Sequence, residues 1–114
     1  MPPNLTVCRL GGYDVWDLNL SVDGQMLKSL STYENYSIRI PNGEREIQFS
    51  WPPLAGGTKA EIPWKFDDNQ GLRITYRYEV KSVAMVAKAP TAVMEPNVSL
   101  KTYKVGDKID ERCG

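Results

Sequence analysis

The stretch Gln70-Gly71-Leu72-Arg73-Ile74-Thr75-Tyr76-Arg77-Tyr78-Glu79-Val80 alternates without a break, with Leu72, Ile74, Tyr76, Tyr78 and Val80 separated by Arg73, Thr75, Arg77 and Glu79. Successive side chains of an extended strand point to opposite faces, so this period of two sets an apolar row against a core and a charged row in water. The pattern recurs on either side. Trp16, Leu18, Leu20 and Val22 alternate with Asp17, Asn19 and Ser21, and Asp23-Gly24 then supplies two residues that tolerate the left-handed backbone of a tight hairpin. Met26 to Leu30 is the expected return strand. Tyr36, Ile38 and Ile40 alternate with Ser37 and Arg39 up to Pro41-Asn42-Gly43, a second turn signal, after which Ile47, Phe49 and Trp51 carry another inward row.

Pro52 and Pro53 end that strand, since proline has no N–H for a ladder. Residues 52–58 read as a loop. Ile62, Trp64 and Phe66 form a further row in which Pro63 predicts a sheet edge or a bulge. Residues 67–71 read as a turn, Leu5 to Leu10 as a short first strand and Val98 to Val105 as a last one. Residues 83–94 have no clean period. There is no 3.6-residue stripe with helix caps and no repeat. Roughly eight short strands in a single domain of 114 residues, with 106–114 as a polar tail, predict an all-β fold: an antiparallel β-sandwich or a small barrel.

Fourteen basic and fourteen acidic residues give a formal charge of zero and are interspersed, which argues against nucleic acid as a partner. The chain has no histidine, which removes the commonest general base and the commonest transition-metal ligand. Cys8 as a nucleophile would have only a lysine or a carboxylate to activate it, and no motif provides one. Asp67, Asp68 and Asn69, like Asp107, Asp110 and Glu111, lack the spacing of a calcium loop and are expected to cap their own turns or stand in water. The residues therefore point to no catalytic group, no cofactor and no metal. No apolar run approaches the roughly 20 residues of a membrane-spanning helix. The opening Met-Pro-Pro-Asn-Leu lacks the regions of a signal peptide, which implies a cytosolic chain or one whose leader has been removed. Leu5 and Cys8 stand at lipobox spacing, but Thr6 and Val7 replace its small residues.

Cys8 and Cys113 admit two readings. A disulfide between them would close nearly the whole chain, contribute about 4 kcal/mol through chain entropy and require an oxidising compartment. The other reading is a buried thiol at Cys8 and an exposed one in the tail. Trp16, Trp51 and Trp64 fall on inward rows and read as core, with Trp51 beside Pro52 and Pro53 the one most exposed to partners because loops and strand ends display contact residues. Residues 83–94, with Met85 and Val86, read either as a buried strand kinked at Pro90 or as an exposed edge that docks a partner or a second copy. Candidate partner-binding residues are thus Trp51, Pro52, Pro53, Met85 and Val86. Four Asn-X-Ser/Thr triplets, at Asn4, Asn19, Asn35 and Asn97, are read as chance without an established secretory route.

Val22-Asp23-Gly24-Gln25, then Tyr36 to Gly43, then Glu46-Ile47-Gln48-Phe49, resembles the PEGA-type surface-layer modules and related small bacterial lipoprotein β-domains, over about residues 16–51. Gly71 to Val80 is similar to a Gly-x-x-Tyr-Tyr strand of the lipoprotein relatives. Asn42 in the second turn and the additional segment Trp51 to Phe66 depart from the minimal module. The resemblance implies an immunoglobulin- or transthyretin-like sandwich working outside the cytoplasm, periplasmic or secreted, with no catalytic residues to carry over. The expected function is a non-enzymatic protein-binding module of the bacterial envelope: a lipoprotein's soluble domain, or an inhibitor or immunity-type partner, with self-association through an edge strand as a further arrangement. The alternative expectation is a carbohydrate- or small-ligand-binding module using Trp51, Trp64 and Tyr76 as a platform.

Overall fold

The computed structural model describes residues 2–11, 17–51 and 58–107. Eight strands follow in order: β1 (Leu5–Arg9), β2 (Leu18–Val22), β3 (Gln25–Leu30), β4 (Asn35–Ile38), β5 (Gly43–Ser50), β6 (Thr58–Phe66), β7 (Gln70–Val86) and β8 (Ala89–Lys104). They form two four-stranded sheets, β4-β1-β7-β8 and β3-β2-β5-β6, in a sandwich-like all-β architecture. The inward row of β7, Leu72, Ile74 and Tyr76, is fully buried with Leu5 and Val7 of β1, and Leu20, Ile47 and Phe49 of the second sheet join the same core. Phe49 and Tyr76 meet with ring centroids 5.3 Å apart.

One pair departs from the antiparallel expectation. β1 runs parallel to β7, in register from Leu5 opposite Leu72 to Arg9 opposite Tyr76. A parallel pair needs a long connection to bring the chain back to the same end. The whole of the second sheet is made between β1 and β7, and it provides that return.

Turn chemistry follows the sequence where the backbone demands it. Asp23 and Gly24 have φ of 51° and 81°, both positive as in the hairpin turns that match strand twist. Pro63 lies on β6, an edge strand, where a missing N–H disturbs one side only. The long hairpin is what the sequence conceals. β7 and β8 run for 17 and 16 residues and pair from Gln70 opposite Lys104 to Val86 opposite Ala89. Residues 83–94 are therefore neither a buried strand nor kinked at Pro90; they are the outer half of this hairpin, and Val83 and Met85 are 65% and 68% exposed. At about 3.3 Å per residue, β7 alone accounts for the 55 Å long axis of the molecule.

The body end of the hairpin is tied across the sheet by one aromatic ring. Tyr103 stands opposite Gly71, and a Cβ placed on that glycine would lie 2.3 Å from the Tyr103 Cζ. Only glycine lets the ring lie flat over β7. Its hydroxyl donates to the Pro3 carbonyl at 3.2 Å and lies 3.4 Å from Thr6 Oγ1, so β8 reaches β1 across the intervening strand. Gly71→Ala should displace the ring and cost about 1–3 kcal/mol. In a Tyr103→Ala background the same change should be near neutral, a coupling that urea titration of the four proteins would measure.

Candidate functional site

The two ends of the sandwich differ in how their polar groups are used. At the end holding the β2–β3 turn, Asp23 binds β5 through both oxygens: Oδ1 accepts from the Glu46 N–H at 2.9 Å and Oδ2 from Arg45 Nη1 at 3.1 Å. Arg45 also donates to the carbonyls of Asn42 at 3.0 Å and Pro41 at 3.3 Å. Arg39 and Asn42 both donate to Asp68, and Asp67 accepts the N–H groups of Asn69 and Gln70 at 2.8 and 2.7 Å. A depression of about 240 Å³ lies here between Val22, Leu27, Ile40 and Pro41, with Asp23 and Arg45 on its wall. Both wall charges are already engaged with each other and with backbone. This end is a set of turns fastened to one another, and Asp67 caps its own turn as expected.

At the opposite end the chain leaves the sandwich. Beyond Tyr78 on β7 and before Pro96 on β8, the two strands pair with each other and, among the described residues, with no other strand. The register holds Tyr78 opposite Pro96 and Val80 opposite Met94, then shifts, so that Ser82 stands opposite Val93, Val83 opposite Ala92 and Met85 opposite Pro90. The shift inserts Lys81 as a β-bulge. In β7 the row that continues the core face therefore passes from even positions to odd ones, and Val83 and Met85 take it up. The result is a projecting ribbon whose core-side row stays apolar after the second sheet has ended.

The base of the ribbon carries two glutamates on the face opposite Tyr78 and Pro96. Glu79 and Glu95 stand directly opposite one another at its base, where like charges repel, and Asn97 donates to Glu79 Oε1 at 2.6 Å. Lys88 lies in the tip turn, where Ala87 and Lys88 both have positive φ, 51° and 65°.

The expected contact residues are distributed unequally. Met85 is on the ribbon and exposed, and Val86 is the last residue of β7. Pro52 and Pro53 lie outside the described residues, as does Trp16. Trp51 is a core residue, 8% exposed, with its ring edge-on to Tyr78 at 4.5 Å. It closes the core at the root of the ribbon and offers little surface to a partner. Tyr76 is fully buried and Trp64 packs partly buried against the core, so Trp51, Trp64 and Tyr76 form no stacking platform for a sugar. Cys8 is wholly buried in β1; Cys113 lies outside the described residues. Sequence reasoning offered residues 83–94 as a buried strand or an exposed edge; the structure shows Val83 and Met85 exposed, and the sequence reading did not foresee the long ribbon that carries them. The available signal was the apolar spacing Val80, Val83, Met85, a step of three within a run of twos.

No helix among the described residues is long and apolar enough to cross a membrane. Compared with known proteins, the chain matches no family model, no curated protein and no solved structure.

The fastened end has a pH signature. Hydrogen bonds from the Glu46 N–H and from Arg45 hold the Asp23 carboxyl below the ordinary carboxylate range. A carboxylate so lowered stabilises the fold at pH above its unfolded value, about 4, and loses that contribution as pH falls through the folded value. Asp23→Asn should therefore lower the melting temperature at neutral pH. The difference from the parent should shrink as the two proteins are melted at successively lower pH below about 4.

Proposed function

We propose that this chain is a non-enzymatic protein-binding module and that the projecting ribbon of β7 and β8 is the part that binds. The observation that carries this reading is the exposure of Val83 and Met85, 65% and 68%, on the row that continues the core face beyond the second sheet. Contiguous exposed apolar surface of this kind marks interaction sites in soluble domains. The ribbon is also set apart from the fastened end, so a partner can seat on it without disturbing the turns. Pro90 and Pro96 both lie on β8, the edge strand, and neither has an N–H to donate. They disfavour addition of a strand to the β8 edge.

The module's setting belongs to the same reading. The strand order β4-β1-β7-β8 over β3-β2-β5-β6, with β1 parallel to β7, supports a transthyretin-like sandwich over an immunoglobulin-like one. The PEGA-type resemblance supports a setting in the bacterial envelope, as a lipoprotein's soluble part or an inhibitor or immunity-type partner. A Cys8 to Cys113 bridge would suit that compartment. Intact mass after alkylation without reductant, on protein recovered from an oxidising compartment, should give two protected cysteines; two alkylated ones would return the chain to the cytoplasm.

The ribbon reading is tested in living cells with a photo-crosslinking amino acid at Met85, using exposed Glu61 on β6 as the control position. A discrete adduct from Met85 and none from Glu61 is the expected result. Equal or absent adducts at both positions would remove the ribbon from the binding surface.

A further inference from the structure

We propose that residues 108–113 lie as an extended strap over the outer face of β4-β1-β7-β8, fastened at its far end by a bond between Cys113 and Cys8. The strap is independent of the ribbon and shares with the module's setting only the Cys8 to Cys113 pair.

Cys8 is buried on the side of β1 that faces away from the core. Leu5 and Val7 enter the core, so Thr6 and Cys8 point outward, and Cys8 is absent from the core cluster. Its neighbours in the outward row are polar, Asn35 on β4 and Thr75 on β7, and both are half-buried. Cys8 is nevertheless wholly buried. It is also not a free thiol, and the chain has one other cysteine, Cys113. The segment that ends at Cys113 is therefore what covers this face.

The chain leaves β8 in the direction that such a strap needs. β8 runs down to Lys104 at the foot of the sheet, opposite Gln70, and a turn then reverses it: Gly106 has φ of 96°, and the Asp107 N–H donates to the Lys104 carbonyl at 3.1 Å. From that level Cys8, opposite Thr75, lies five residues up the sheet and two strands across, about 20 Å in all. Six residues from Asp107 to Cys113 span about 20 Å when extended. The segment reaches Cys8 only when taut.

An extended segment alternates its side chains, and the alternation here matches the face beneath it. With Cys113 toward the sheet, Ile109 and Glu111 share its side, while Lys108, Asp110 and Arg112 face water. Two residues below Thr75 stand Arg73 and Lys101, opposite one another, and two further down lie Gly71 and the Tyr103 ring. Glu111 falls at the level of the basic pair and Ile109 at the level of the ring. The acidic pair Glu79 and Glu95 shares this face but lies further up, beyond the end of the strap.

The strap is tested by equilibrating the full chain with mixtures of reduced and oxidised glutathione. Two thiols of the chain become one S–S bond while the S–S bond of oxidised glutathione becomes two thiols, so the equilibrium constant measures how well the fold presents Cys113 to Cys8. Glu111→Arg should lower that constant about fivefold, and Arg73→Glu added to it should restore it in large part. Asp110→Arg, on the water side, should leave it unchanged. A constant indifferent to Glu111→Arg, or lowered equally by Asp110→Arg, overturns the strap and leaves the bridge standing. Two thiols that stay reduced against excess oxidised glutathione overturn strap and bridge together, and leave the ribbon's protein-binding reading untouched.

Discussion

The pairing of β1 with β7 is the constraint on which the rest of the structure depends. β1 is five residues long and every one of them is buried. Its inward row, Leu5 and Val7, enters the core, while Thr6 on the other side is held with Ser37 and Tyr103. The ladder is extended at both ends, by the Leu72 N–H to the Asn4 carbonyl at 2.9 Å and by the Leu10 N–H to the Tyr76 carbonyl at 2.7 Å. Asn4 then uses its side-chain amide as a second backbone, donating to and accepting from Ile40 at 2.8 and 2.7 Å. That commitment also disposes of its glycan triplet. Arg9 reaches across to the Leu30 carbonyl at the end of β3 and so ties β1 to the opposite sheet. A short strand fixed in this way holds the first half of β7 rigidly in the body, and the second half is cantilevered from it.

The contrast between the two ends follows from this anchoring. Strands that begin or turn near Asp23, Asn42 and Asp68 are joined by exposed ion pairs and backbone caps. Each exposed ion pair is worth little, on the order of 0–1 kcal/mol. Their effect is to fix the turn geometry, because each carboxylate is shared between strands. At the other end Trp51 and Tyr78 close the core with an edge-to-face contact, and the ribbon continues past them. The sealed end and the projecting end are therefore separable in physical terms, so a change in one need not be felt in the other.

Much of the body was legible in the sequence because its signals are local. Alternation located the inward rows of β2, β5, β6 and the first half of β7; Asp23-Gly24 gave its hairpin, and Pro63 gave an edge strand. What escaped was non-local or turned on a change of phase. The parallel register of β1 and β7 links residues some 67 positions apart. Nothing in Leu5-Thr6-Val7-Cys8 announces a strand buried on both sides, since Thr6 and Asn4 are polar and become buried only through partners far along the chain. Trp51 looked accessible beside two prolines, and the residue that covers it, Tyr78, comes from a different sheet. The ribbon was lost to a single inserted residue. A bulge moves every later side chain to the opposite face, so a search for period two stops at Val80 although the apolar row does not.

That bulge also decides which residues of β7 continue the core face. Bulges commonly twist or terminate pairing, whereas here pairing resumes at once and runs on to Val86 opposite Ala89. The consequence of the inserted Lys81 is a change of phase, after which the exposed Val83 and Met85 fall on the row that continues the core face. Meanwhile β6 and β8, the edges on one side of the sandwich, carry Pro63, Pro90 and Pro96, residues that discourage pairing between chains. The chain thus carries prolines on two of its sheet edges while Val83 and Met85 stay exposed on one face.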